Sequence, residues 1–280
     1  MSSLKNIAVL FDESAQGLHV LETAARMAGQ QAGHLIGITA MDQGPTSIHD
    51  GYAIGSAVAE VLALRQSAMA SRVLASGQRL NSAVQRHAGS GELRIISFTE
   101  SGSESALHAL SCDLLVLSSP ELLGTPRTWM PETILRRSGV PILIVPRVWA
   151  DKPIARRIVV AWNGSRQSRR AIADALPLLT SAEVVKVLVV DPETGSELLG
   201  SSPGADMAAF LARHHVAVDV ALNSSNGAPI ADAIQTYAAS VDADLLVIGA
   251  YSHSRVVESL VGGVTRTMFG GVNLPLFVSQ

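Results

Sequence analysis

The residues best suited to meet an anion are Gly249, Ser252, His253, Arg255, Gly262 and Gly263, gathered around one strand-to-helix junction. An uninterrupted apolar run, Leu245 to Ile248, ends at Gly249. A turn through Ala250, Tyr251, Ser252, His253 and Ser254 follows. Val256, Val257, Leu260, Val261, Val264 and Met268 then recur at the spacing of one buried helical face. The start of such a helix offers unbonded backbone N–H groups and the positive end of its dipole, and phosphate is the anion it commonly meets. Ser252 adds a hydroxyl, His253 a ring and Arg255 a guanidinium fork. Two plainer readings stand beside this one. The glycines could serve a tight turn only, and Arg255 could pair with Glu258 along the helix surface.

Other chemistry-bearing residues form no specific catalytic set. The eight His residues lack the Cys/His spacing of a zinc site. His214 and His215 fit a helix carboxyl end, where cations complement the dipole, better than a metal. His49 and Asp50 lie in a Gly-Ser-His-rich stretch between Asp42 and Gly55, read as solvated loop rather than metal site. There is no Gly-x-Ser-x-Gly elbow and no Walker Gly-Lys-Ser/Thr. The expectation is no dedicated enzymatic activity, at most slow hydrolysis of a bound phosphate compound, and no metal centre. Cys112 is the one cysteine, so it forms no internal disulfide, and it reads as a small core residue.

The elements that position the junction repeat. Cys112-Asp113-Leu114-Leu115-Val116-Leu117-Ser118 matches Ala243-Asp244-Leu245-Leu246-Val247-Ile248-Gly249. Asn6 to Ser14 stands against Arg157 to Ser165, and Gly139-Val140-Pro141-Ile142-Leu143-Ile144-Val145 against the segment through Leu274-Pro275-Leu276 to Val278. Each half reads as five strands alternating with four helices, which gives a parallel sheet with right-handed crossovers. The expected architecture is α/β, two tandem doubly wound five-stranded parallel-sheet domains of Rossmann-like type, spanning 1–148 and 153–280 around a polar interruption at Arg147 to Pro153. The halves are expected to meet through Ile142–Val145 and Leu276–Val278. A strand is placed at Val216–Val220, and a long helix from about Ala57 to His87 carries a stripe of Ala57, Val61, Leu64, Ala68, Ser71 and Ala75. That stripe suits close packing, an oligomer contact or a lid.

The chain has 280 residues, 48% of them hydrophobic and spread through short runs, so no segment is long enough to span a bilayer. The amino terminus has no apolar stretch followed by a small-residue cleavage site, and a cytoplasmic location is the expectation. A net charge of −3 offers no basic excess, which argues against nucleic acid as main partner.

The strand ending in Asn163-Gly164-Ser165, the glycines Gly249 and Gly262 and the Pro275 before the last strand together resemble the universal stress protein family, here as a tandem pair. The resemblance covers nearly all of the chain and is better in the second half. It implies a ligand site at the carboxyl ends of the first and fourth strands of a half, where many members bind ATP and others carry the fold without nucleotide. It places Ala161, Asn163, Ser165, Val189, Gly227, Gly249, Ser252, His253, Arg255, Gly262, Gly263 and Val264 around an adenine nucleotide, ATP or ADP, possible with Mg²⁺. Asn163 stands where the family has an acidic residue near the adenosine, and Val189 where adenine is held. Ser252 replaces a glycine, and Gly263 a Ser or Thr. Gly227 and Ala228 border the site, ahead of a helix that Pro229 opens.

In the first half, Asp12 keeps the acidic position but fits equally the carboxylate of a helix cap before Ser14. Ser118 replaces the glycine, and Pro120 removes a donor N–H. That half is therefore expected to hold no nucleotide, and the segment Glu100 to Leu110 is shorter than its counterpart. Two functions stay open: a homodimeric stress-response protein that binds an adenine nucleotide in the second half and regulates partner proteins, or a nucleotide-free scaffold acting by protein or small-ligand association.

Overall fold

Uninterrupted apolar runs become the central strands of one ten-stranded sheet. The computed structural model describes residues 3–41, 56–97, 108–119, 130–149, 152–195, 201–251, 263–271 and 273–280. The first half contributes β1 (Asn6–Leu10), β2 (His34–Met41), β3 (Gly91–Ser97), β4 (Leu114–Ser118) and β5 (Ile142–Val145). The second contributes β6 (Arg157–Ala161), β7 (Val184–Val190), β8 (Val218–Asn223), β9 (Leu245–Gly249) and β10 (Leu276–Ser279). The order is β3-β2-β1-β4-β5-β10-β9-β6-β7-β8. Within each half every pairing is parallel; β5 and β10 meet antiparallel, with Leu276 opposite Ile144, Phe277 opposite Leu143 and Val278 opposite Ile142. The last strands join the halves as expected, and they fuse the two sheets into one.

Among the described residues the helices are α1 (Ala15–Gln30), α2 (Ser56–Ala83), α3 (Pro131–Ser138), α4 (Arg166–Leu179), α5 (Ala205–Arg213), α6 (Ile230–Ser240) and α7 (Gly263–Gly270). The long helix forms, continued by one wider turn over Val84–Ala88. Its core-facing residues are Ser76, Leu80, Ala83 and Val84, whereas Leu64 of the small-residue stripe is 65% exposed. The strand placed at Val216–Val220 begins at Val218 instead. His215 takes φ 62°, and the Val216 N–H still donates to Leu211 of the preceding helix, so extended pairing starts two residues later.

All residues of β5 and β10 are buried. Each such apolar side chain contributes about 1.5–3 kcal/mol by leaving water, so the seam between the halves is core rather than surface contact. The repeated Asp113 and Asp244 have a shared physical role at the opposite end of the sheet from the junction. Asp113 Oδ2 accepts from the N–H groups of Lys5 (2.7 Å) and Asn6 (2.8 Å). Asp244 accepts from Arg156 (3.0 Å) and Arg157 (2.9 Å). Each carboxylate pins the start of its half's first strand beside its fourth. Burial pushes the Asp244 carboxyl up, and the Arg157 and Arg156 amides partly offset that.

Candidate functional site

In the second half, β6 is followed in space by β7 on one side and by β9 on the other. Crossovers therefore leave the sheet in opposite directions between β6 and β9 and open a crevice at their carboxyl ends, where open α/β sheets bind ligands. The residues after β6 build one wall. Asn163 Oδ1 accepts from the Ser165 N–H at 3.2 Å, Gly164 turns the chain at φ 72°, and Ser165 Oγ accepts from the Ser168 N–H at 3.1 Å. This cap starts α4 and leaves other first-turn amides unbonded within the helix.

Gly249 brings that helix start against the end of β9. A Cβ on Gly249 would lie 2.3 Å from Gln167 C and from Ser168 N. The glycine is therefore demanded by a close strand–helix approach, whatever else its backbone meets. Beyond it, the Ala250 N–H donates to Ser279 O at 2.7 Å, and Tyr251 takes φ 60° with its N–H 3.4 Å from Thr265 Oγ1 in the first turn of α7. The amino termini of α4 and α7 thus both flank the exit of β9. The first-turn N–H groups and dipole of α4 favour an anion there.

The neighbouring loops hold backbone in the left-handed region. Asp191, just after β7, has φ 48°, Asn226 has φ 50° and Gly227 φ 81°. Asp191 Oδ1 accepts from the Ser225 N–H at 2.8 Å. Hydrogen bonds from the Ser225 hydroxyl and backbone hold its carboxyl below the usual range. Tyr251 is half-buried; burial and then the charge of Glu132 push its phenol up, while Arg136 opposes them. Both charges belong to α3, an element of the first half.

The sequence-derived residues divide as follows. Ala161, Asn163, Ser165 and Gly249 stand together at the β6/β9 exits, with Gly263 and Val264 opening α7. Val189 is 1% exposed, and its side chain packs below Gly204, ahead of α5; it offers a ligand backbone only. Gly227 lies in the exposed turn ahead of α6 with open space around it, and Pro229 serves as the cap there. Ser252, His253, Arg255 and Gly262 lie outside the described residues, as do Val256, Val257 and Leu260 of the expected helical face.

Sequence reasoning passed over Trp162, Asp191, Tyr251 and Thr265. Trp162 is half-buried, and its N–H donates to Leu188 O at 2.8 Å, which extends the β6–β7 pairing to the crevice edge. An aromatic residue directly after a first strand, and an Asp directly after a second, were the available signals.

In the first half Asp12 takes the capping role: its Oδ1 accepts from the Ser14 N–H at 2.9 Å and from the Ser14 hydroxyl, and Ser14 caps the Gly17 N–H at 3.0 Å. His49, Asp50, most of Glu100–Leu110, and Pro120 with the residues after it up to Trp129 lie outside the described residues. Among the described residues no three His, Cys, Asp or Glu side chains are grouped to hold a metal ion, and no helix is long and apolar enough to cross a membrane.

Residues 155–279 match the sequence pattern of the universal stress protein family. No curated protein matches the chain. Among solved structures, the chain is similar to a universal stress protein from Archaeoglobus fulgidus DSM 4304, at TM-score 0.71 and 16% identity with 98% of each chain covered. It is also similar to a protein of unknown function from Pseudomonas aeruginosa PAO1, at TM-score 0.61 and 16% identity, with 99% of this chain and 92% of the other covered. At such identities the likeness concerns the fold.

Proposed function

We propose, on the match of residues 155–279 to the universal stress protein family, that the chain binds an adenine nucleotide, ATP or ADP, in the β6/β9 crevice and uses occupancy to alter its contacts with partner proteins. The observation that carries this reading is the convergence of the α4 and α7 amino termini on the exit of β9. Phosphates fit between the two helix starts. The backbone at the end of β7, around Val189 and Val190, offers polar groups to the base, and Asn163 offers an amide to the sugar. Mg²⁺ would accompany the phosphates as their own counter-ion.

The same reading treats 1–148 and 153–280 as two domains, only the second loaded with nucleotide. It assigns no dedicated turnover, a cytoplasmic setting and a homodimeric working form. The exposed stretch of α2 around Leu64 and Ala68 supports a contact between copies. The test is mass spectrometry of small molecules released from undialysed protein, with calorimetric titration of ATP with and without Mg²⁺. One nucleotide per chain, weakened by Arg255→Ala, supports the reading. No retained nucleotide and no binding heat at millimolar ATP replaces it with the nucleotide-free scaffold.

A further inference from the structure

A cavity lies at the other end of the second half's strands, where the linker between the halves meets the starts of β6 and β9. It measures about 530 Å³, within the usual range for a small-molecule site. Its wall includes Trp149, Pro153 and Leu274, with Ala239 of α6 at the side. Trp149 is 9% exposed and Leu274 7%, so both present fixed apolar surface rather than mobile rim. The Lys152 ammonium stands 5.1 Å from the centre of the Trp149 ring, within cation–π reach.

The charged side chains around this cavity balance in number, but not all of them are paired. Arg156 is taken up by Glu183 through its Nε at 2.7 Å and a terminal nitrogen. The Asp244 carboxylate is occupied by backbone amides. Lys152 and Arg157 have no carboxylate partner among the described residues. The Arg157 guanidinium is held in place by two bonds to Val241 O, at 3.1 and 2.8 Å, which leaves other N–H groups for a ligand. Asp242 is the lining carboxylate left on the exposed rim; with Glu183 and Asp244 it balances the three cations in formal charge, so the free donors are Lys152 and the remaining N–H groups of Arg157.

We propose that this cavity binds a small organic monoanion with a flat apolar body, an aromatic carboxylate being the class that fits. The body lies against Trp149 and Leu274, and the carboxylate meets Lys152 and Arg157. The site is separate from the β6/β9 crevice, because it opens at the amino ends of the strands whose carboxyl ends form the crevice. It also touches the linker that joins the halves, so a ligand there contacts both Trp149 and the start of β6.

The probe is 1-naphthoate, followed by equilibrium dialysis against the full chain, with Lys152→Ala and Ala239→Phe as variants and 1-naphthalenemethanol as the neutral analogue. Lys152 and Ala239 are both exposed, so neither change removes core packing. The expected result is saturable binding of one naphthoate per chain, weakened about tenfold by Lys152→Ala and by the neutral analogue, as for loss of one charge-assisted contact. Ala239→Phe, which fills the cavity, is expected to abolish binding with circular dichroism unchanged. Failure of folded wild type to saturate at millimolar naphthoate overturns the proposal. So does equal affinity in Lys152→Ala, whatever Ala239→Phe does. ATP titrations of the same variants should match wild type, so this result stands or falls apart from the nucleotide reading.

Discussion

The two halves share strand order and the aspartate that pins their first strands, but they differ at the carboxyl ends of those strands. In the first half, the described residues with φ in the left-handed region are Ala32, Gly89 and Gly139, which follow α1, the wider turn after α2, and α3. They end helices. In the second half Gly164, Asp191, Asn226, Gly227 and Tyr251 put such backbone into the loops after β6, β7, β8 and β9. Non-glycine residues there are strained, and strain of that kind gathers where a loop must hold a shape for a ligand. The close contact at the helix start is also solved differently. In the first half the glycine is on the helix, Gly17, whose missing Cβ makes room for Asp12; in the second it is on the strand, Gly249, making room for Gln167 and Ser168. One fold thus carries a capped helix start in both halves, with the glycine on the helix in one and on the strand in the other.

The largest break in this comparison is expected from Gly249→Val. Its Cβ overlaps backbone that cannot step aside, so the cost should reach about 3 kcal/mol or more, read as a lower urea midpoint. Ser118→Val at the matching position of the first half should stay near 1 kcal/mol. Equal losses would erase the distinction. Next comes Asp244→Ala, which strands the Arg156 and Arg157 amides and should cost about 2 kcal/mol.

A pH series on Asp244→Asn sharpens the point. The folded carboxyl is pushed above the value of 3.8 taken for the unfolded chain. The folded state therefore holds that proton more tightly, and stability from this group falls as pH rises from 3.8 through the raised value. The difference between wild type and Asp244→Asn should shift in that direction over that window and be flat above it.

Gly263→Asp puts a carboxylate at an exposed first turn with open space around it. Helix stability should hold or rise, while ATP affinity by calorimetry falls about tenfold through repulsion of phosphate. The smallest effect is expected for Asn163→Asp, which gives the second half the side chain that the first half has at Asp12. Its acceptor bond to Ser165 survives, so stability should move by no more than about 0.5 kcal/mol.

Much of the fold was legible because burial on both faces writes itself into sequence. Leu114 to Leu117 and Leu245 to Ile248 read as central strands and are central strands. The Pro-marked last strands were expected to join the halves, and they do. The site was legible only in part. Gly249 read as a phosphate-loop glycine, and its tightest constraint is the approach of α4. Val189 read as a ligand residue, and its side chain belongs to the core. The start of β8 was misplaced because Val216 looks extended in sequence while its N–H still closes the preceding helix.

By itself, then, the sequence determined strand and helix periodicity, the internal repeat and the family resemblance, since these depend on residues near one another along the chain. Only the tertiary structure decided that two helix starts meet at β9 and that the linker residue Trp149 walls a cavity with Arg157 and Leu274. Those contacts join residues far apart in the chain, and their distances follow from how strands are ordered in the sheet rather than from any local pattern.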